Sequence, residues 1–185
     1  MVGVALLVAA LVGGGYFAWR YLQSDSDPDT PGTQPKGLVV EDTESGIDYE
    51  LPEGWVEQDS DDLIDAFTTA ASNGSASVFA FYGDAMTGEE MSYTTSTIAG
   101  ENSEYFYPFA EDRQILISEP TEVDGQDAYR FTWEVSSEGE VPMYGHIVHI
   151  LTDDGRSVFL MGIVHPDDAD LRTEIDAIVS SVTLR

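Results

Sequence analysis

The chain has 185 residues, of which 35 are Asp or Glu and only 7 are Lys or Arg, so its formal net charge is −28 at pH 7. This balance excludes nucleic-acid binding, because contacts to phosphates need clustered Lys and Arg, and an anionic lipid surface would also repel the protein. Cysteine is absent, which excludes disulfides, thiol catalysis and the lipid-modified cysteine of bacterial lipoproteins.

Residues 1–22 form an apolar run with no charged residue before Arg20. A helix over this run would be about 30 Å long, which matches the hydrocarbon thickness of a bilayer. Tyr16, Trp19 and Tyr21 cluster at its end, where aromatic rings prefer the headgroup layer. A cleaved signal peptide is the alternative, but the run has no basic residue before it and no clear cleavage site after it. We therefore predict a single transmembrane anchor over residues 1–22.

The segment after the anchor is acidic and contains no aliphatic side chain. Residues 23–37 are rich in Pro, Gly, Asp, Ser and Thr, which predicts a disordered, solvated linker. Arg20 alone would keep this side cytoplasmic by the positive-inside rule, whereas the acidic flank favours an extracytoplasmic location, which is our prediction. Residues 38–185 are then enough for one folded domain.

Repulsion among the carboxylates destabilises a compact state unless salt screens it, and the Debye length falls to about 3 Å at 1 M salt. The only lysine is Lys36, and such a lysine-poor, acid-rich composition is typical of proteins from halophiles. We therefore expect the thermal unfolding midpoint to rise from low salt to molar NaCl in melts followed by circular dichroism. A midpoint that stays constant or falls would contradict this prediction.

The first half of the domain shows strands interrupted by one helical pattern. Residues 38–40 predict a strand, and residues 47–51 alternate apolar and polar as a half-buried strand does. A helix is predicted after Asp59 or Ser60, because apolar residues recur there at helical spacing. Those residues are Leu63, Ile64, Phe67, Ala70 and Ala71. Residues 77–82 predict a strand covered on both faces, and residues 83–112 a long excursion with one or two short helices.

The sequence of the second half of the domain predicts four consecutive strands separated by turn sequences. These strands are residues 114–123, 128–136, 141–152 and 157–164. Asp124-Gly125 is typical of a primed hairpin turn. A closing helix is predicted to begin at Pro166, which suits the first helical position. Its buried stripe comprises Leu171, Ile175, Ile178 and Val179. Residues 182–184 are predicted to return as a short edge strand.

This order of elements includes a Leu51-Pro52-Glu53-Gly54-Trp55 corner and a Val123-Asp124-Gly125 hairpin, and it resembles the PsbP-like fold. That fold is shared by extrinsic subunits of photosystem II, a Ran-binding Mog protein and actinobacterial secreted or membrane-tethered proteins of the LpqN type. The resemblance spans residues 38–185. It implies an α+β domain in which an antiparallel β-sheet is sandwiched between helices (α/β/α), and binding or assembly more often than catalysis.

Aromatic residues alternate along predicted strand 128–136 and therefore share one face. If the next hairpin is symmetric about Glu138-Gly139, Tyr144 and His146 lie opposite Trp133 on that face. Core packing under a helix is one interpretation, and a ligand-facing or partner-facing aromatic floor with a rim is the other. The candidate binding residues are Trp133, Tyr144 and His146, with Tyr105 and Tyr107 at the rim.

Residue patterns for catalysis or metal binding are weak. His146 and His149 are three apart on a predicted strand, so they point to opposite faces and cannot share a metal ion. The sequence has neither a Gly-x-Ser-x-Gly elbow nor a phosphate-binding glycine loop with lysine. We expect no catalytic residue, metal or cofactor, and we predict a membrane-anchored extracytoplasmic module that binds an unknown protein. The alternatives are a sensor or regulatory partner of another membrane protein, and a hydrolase-type enzyme with a pocket at the aromatic face.

Overall fold

The structure, a computed structural model, describes residues 37–59, 63, 66–84, 87–108, 110–139 and 141–185. The predicted anchor over residues 1–22 and the predicted linker up to residue 36 lie outside the described residues. Within the described part, no helix has both the length and the apolar character needed to cross a membrane.

In the described part of the chain all strand pairs are antiparallel, and they form two sheets. The small sheet has the order β1-β2-β10, with strands Leu38–Asp42, Ile47–Leu51 and Thr183–Leu184. The large sheet has the order β3-β4-β5-β9-β8-β7-β6. Its strands are β3 Val56–Glu57, β4 Thr69–Ser72, β5 Ala76–Gly83, β6 Asp112–Val123, β7 Gln126–Ser136, β8 Met143–Leu151 and β9 Ser157–Val164. The helices among the described residues are α1 Gly88–Phe106 and α2 Ala169–Ser180.

Helices α1 and α2 cover opposite faces of the large sheet. Helix α1 packs on β7 and β8, above a core that includes Ile98, Phe131 and Trp133. Helix α2 packs on β8 and β9, and the small sheet completes this second core through residues such as Tyr49 and Ile175. Strand β9 is buried on both faces, as its apolar sequence predicts. The domain is thus an α+β fold with antiparallel sheets and helices on both sides.

Helix α2 approaches the sheet closely because β9 contains a glycine at the crossing point. A Cβ atom on Gly162 would lie 2.6 Å from Cγ2 of Ile175, so a larger residue would require the Ile175 side chain or the helix to shift. Glu174 gives the same helix a polar contact, since its Oε2 accepts from the indole Nε1 of Trp55 at 2.7 Å. The predicted corner around Trp55 therefore serves to anchor α2.

The turn between β6 and β7 is confirmed as a primed hairpin. Asp124 and Gly125 have φ angles of 50° and 80°, and the strands pair from Val123–Gln126 outward. The buried stripe of α2 and the short returning strand β10 are also confirmed. Helix α2 begins at Ala169, however, and not at Pro166. Asp168 is its N-cap and accepts from the backbone N–H of Asp170 and Leu171 at 2.9 and 3.2 Å.

The predicted helix ending near Ala71 is wrong at its C-terminal end. Ala70 and Ala71 lie in β4, where they pair with Phe79 and Val78 of β5. The hairpin at Asn73-Gly74 gives these alanines partners and buries them on opposite faces of the sheet. This long-range pairing overrides their helical spacing. Residues 60–62, 64 and 65 of the predicted helix lie outside the described residues.

The predicted excursion over residues 83–112 is wrong as well, because 19 of these residues form the single helix α1. The backbone N–H of Thr87 donates to Glu90 at 3.1 Å at its start. Several hydroxyls in the helix donate back to carbonyl oxygens of the preceding turn, among them Thr95 to Met91. Such residues are poor helix formers in isolation, so packing on the sheet stabilises α1 more than its own propensity does.

Candidate functional site

The pairing of β7 with β8 decides where the candidate residues lie. Trp133 pairs with Gly145, and Tyr144 pairs with Glu134. The symmetric hairpin would have placed Tyr144 opposite Trp133. The observed register of β8 against β7 differs from that expectation by one residue. Because side chains alternate along a strand, this difference moves Tyr144 and His146 to the face opposite Trp133. The predicted common aromatic face is therefore wrong.

Trp133 lies in the core beneath α1, with only 3% of its surface exposed. Its ring centroid is 6.0 Å from that of Phe131. The indole covers the backbone of Gly145, since a Cβ atom there would lie less than 3.0 Å from three indole carbons. Among the described residues, the buried indole Nε1 has no hydrogen-bond partner. Trp133 thus occupies a packing position and does not present its ring at the surface.

Tyr107, one of the predicted rim residues, is buried at the end of α1. Its hydroxyl donates to the carbonyl oxygen of Val141 at 3.3 Å, and its ring lies edge-on to His165 at 5.4 Å between centroids. Tyr107 therefore closes this end of the core. Tyr105 belongs to the last turn of α1, and its side chain lies outside the described part of the structure.

On the face covered by α2, Tyr144 and His146 meet one carboxylate. Oδ1 of Asp176 accepts from the Tyr144 hydroxyl at 2.8 Å and lies 2.7 Å from Nδ1 of His146. Burial opposes ionisation of Asp176, but the hydrogen bonds from His146 and Tyr144 hold its pKa below the usual value. Burial and the neighbouring Asp176 raise the pKa of Tyr144. This carboxylate ties α2 to β8.

A histidine held by a carboxylate is also a component of catalytic dyads. In this cluster the other nitrogen, Nε2 of His146, is buried, and no described group forms a hydrogen bond to it. Arg172 lies over the Tyr144 ring at 4.6 Å and forms ion pairs with Glu134 and Asp167. These hydrogen bonds and ion pairs link β7, β8 and α2. The cluster therefore stabilises the packing of the helix on the sheet.

His149 points to the α1 face, so the expectation that His146 and His149 diverge is confirmed. Its Nδ1 lies 2.9 Å from Oγ1 of Thr95, and that hydroxyl already donates to the Met91 carbonyl at 2.7 Å. Nδ1 must therefore carry the proton and donate. The ring stacks on Phe159 at 4.1 Å. Burial lowers the pKa of His149 to about 4.

This burial predicts a pH-dependent loss of stability. Between pH 6.5 and 4 the unfolded chain binds a proton at position 149 and the folded chain does not, so stability falls as pH falls. The full difference is about 3 kcal/mol below pH 4. Urea unfolding at pH 8 to 4 should show this loss relative to His149→Gln, which cannot take up the proton. Parallel pH profiles for the two proteins would contradict the prediction.

Basic side chains on the surface are mostly paired within the chain. Arg130 pairs with Glu119, Arg156 with Asp154, Arg172 with Glu134 and Asp167, and Arg185 with Glu41 and Asp48. The remaining carboxylates leave the surface strongly anionic. Even so, the described residues contain no cluster of three or more His, Asp or Glu placed to hold a metal ion.

Strand β6 forms one edge of the large sheet, and nine of its twelve residues are exposed. Twelve residues long, it exposes 60% of Ile115 and 40% of Leu116. Its register with β7 shifts between Ile115 and Ile117, as at a β-bulge. The sequence predicts this strand but not its position at the edge of the sheet. The consecutive apolar residues 115–117 in an otherwise polar segment were the available signal.

No family model and no curated protein sequence matches this chain. Solved structures with the same architecture do exist. The cyanobacterial PsbP (CyanoP) of Synechocystis sp. PCC 6803 superposes with a TM-score of 0.60 at 14% identity, covering 87% of this chain and 100% of CyanoP. The Ran-binding protein Mog1p of Saccharomyces cerevisiae gives 0.53 at 10% identity, covering 82% and 96%.

A third similar structure is LpqN of Mycobacterium tuberculosis, which is involved in cell envelope biogenesis. It gives a TM-score of 0.50 at 10% identity and covers 80% of this chain and 90% of LpqN. At such low identities the comparison concerns the fold. The resemblance predicted from the element order is confirmed: the chain has the PsbP/Mog1-like fold.

Proposed function

We propose that this protein is a membrane-anchored, extracytoplasmic and non-catalytic module that binds or assembles with another protein. The observation that carries this proposal is the exposed β6 edge, where two neighbouring apolar residues, Ile115 and Leu116, lie on the surface of a strongly anionic domain. Contiguous apolar surface rimmed by polar residues is typical of protein interfaces. The histidines and buried tyrosines, by contrast, hold the helices on the sheet.

Proteins of the same fold support a binding or assembly role. One is a Ran-binding protein, and another is involved in cell envelope biogenesis. The charge of −28 favours a partner with a basic surface and disfavours nucleic acid and anionic lipid. Support for the anchor and for the extracytoplasmic location comes from the sequence, through the apolar residues 1–22 and the acidic flank that follows them.

Affinity capture from native membranes tests the binding role. The full chain, carrying a C-terminal tag, is cross-linked in its native salt, extracted with detergent and purified beside a chain truncated to residues 38–185. We expect a discrete protein to co-purify with the full chain and to be depleted with the truncated one, because the anchor concentrates the domain at the membrane. Identical profiles for the full chain and for an unrelated acidic membrane-anchored protein would contradict the proposal.

Location is tested separately in intact cells. External protease should digest the domain and leave a membrane-bound anchor fragment that resists alkaline extraction. Complete protection of the domain would place it in the cytoplasm, and a mature protein without residues 1–22 would show that the segment is a cleaved signal peptide.

A further inference from the structure

We propose that β6 is a docking edge to which an extended, basic segment of the partner adds as a further strand of the large sheet. This inference rests on the proposed binding function and names the surface and the partner chemistry. It concerns the segment Asp112–Glu119, which we call the docking edge.

The docking edge offers backbone groups as well as side chains. Strand β6 pairs with β7 along one side, and no described strand pairs with its other side. The backbone N–H and C=O groups on that side alternate along the strand, and the matching chemistry is the backbone of another extended peptide. Eight residues of strand span about 26 Å, enough for a partner strand of ordinary length.

Other sheet edges are less suited to this role. Strand β3, at the opposite end of the large sheet, has two residues, and β1 in the small sheet has five. Within β6, Pro120 has no N–H and so limits pairing to the residues before it. The irregularity between Ile115 and Ile117 also restricts which strands can pair, because it breaks the regular spacing of the edge.

The charged residues around the docking edge determine which kind of partner strand can bind there. Glu111, Asp112 and Glu119 are exposed at or beside the ends of the docking edge, and they outnumber the two nearby cations, which are the exposed Arg113 and Arg130 of β7, the latter paired with Glu119. Ile115 and Leu116 lie between these carboxylates and provide an apolar contact. A segment that alternates Val or Ile with Lys or Arg fits both features. A second copy of this chain fits poorly, because it would bring carboxylates of two strongly anionic molecules together.

The direct test uses synthetic ten-residue peptides that alternate Val and Lys, added to the full chain reconstituted in nanodiscs of neutral lipid. Two versions of the peptide are N-methylated on alternate residues, the first along one edge of the extended peptide and the second along the other edge. Both versions keep the same charge, but each lacks the backbone N–H donors on its methylated edge. At about 1 M NaCl, where long-range attraction is screened, we expect one methylated version to bind at least about tenfold more weakly than the other. Backbone amides of residues 112–119 that face away from β7 should also become protected from hydrogen exchange.

Matched variants locate the contact. Ile115→Lys adds a positive charge to the docking edge and should weaken binding of the unmethylated peptide at least about tenfold. Val39→Lys adds the same charge at a similarly exposed residue of β1 and should change affinity less than about twofold. Melting curves check that both variants remain folded. Equal affinity of both methylated versions, no peptide binding, or equal effects of the two variants would overturn the proposal.

The native capture experiment separates the two proposals. If the partner co-purifies equally with wild type and Ile115→Lys, the binding function stands and the docking edge is wrong. If no partner is captured with either chain, the proposed function itself fails. If Ile115→Lys abolishes self-association of the purified full chain, the occupant of the edge is a second copy and the basic partner strand is wrong.

Discussion

Gly145→Ala is expected to lower the free energy of unfolding by about 3 kcal/mol, the upper end of the usual range for overpacking a core. The added methyl group would lie less than 3.0 Å from three carbons of the Trp133 indole. Neither side can move easily, because Gly145 belongs to a central strand and Trp133 is buried under α1. Urea unfolding of both proteins measures the loss.

A double-mutant cycle gives the control. In a Trp133→Leu background the indole is gone, so adding Gly145→Ala should have little further effect, and the two changes should couple by more than about 1 kcal/mol. Gly100→Ala in α1 is the matched substitution in open space and should be neutral or stabilise by about 0.5 kcal/mol. Equal losses for Gly145→Ala in both backgrounds would show that Trp133 is not the obstacle.

Asp42→Ala is expected to destabilise the domain by about 3 to 5 kcal/mol, because it leaves several buried donors without an acceptor. Asp42 is almost fully buried at the end of β1. One carboxylate oxygen accepts from the backbone N–H of Glu44 and Ser45 at 3.1 and 3.0 Å, and the other accepts from the hydroxyls of Thr68 and Thr69. This side chain therefore closes the β1–β2 turn and joins the small sheet to β4.

Two variants isolate the cause. Asp42→Asn keeps an acceptor for the turn and should lose less than half as much stability as Asp42→Ala. Asp48→Ala removes a partly exposed carboxylate from β2, whose partner is Arg185, and should change stability by less than about 1 kcal/mol. Thermal and urea unfolding measure all three. Similar losses for positions 42 and 48 would mean that removed charge, and not unsatisfied donors, controls stability.

The strands of the second half could be predicted from the sequence because their signals are local. Asp124-Gly125 permits the positive φ angles that a primed turn requires, and the alternation in β7 and the apolar character of β9 follow from which faces are covered. Helix α1 could not be predicted in this way. Its Ser and Thr residues are weak helix formers, and its small inner residues become informative only when the aromatic residues of the sheet lie beneath them.

In the candidate site, too, some features could be predicted from local sequence and others depend on tertiary contacts. The alternation of aromatic residues in β7 could be predicted from the sequence. Their partners on β8, however, depend on the length of the loop between the two strands. A difference of one residue places His146 beside Asp176 of α2 and leaves Trp133 over Gly145. Likewise, exposure of Ile115 follows from the position of β6 at the edge of the sheet, which no local pattern encodes.

Composition and local pattern thus determined the anionic character, the class of fold and the strand-turn order of the second half, because these depend on residues that are close in the chain. Tertiary structure alone decided the register of β7 with β8, the single helix α1 and the exposed edge at β6. Each of these is set by contacts between residues far apart in sequence, where the free energy of packing and pairing outweighs the small preferences of individual residues.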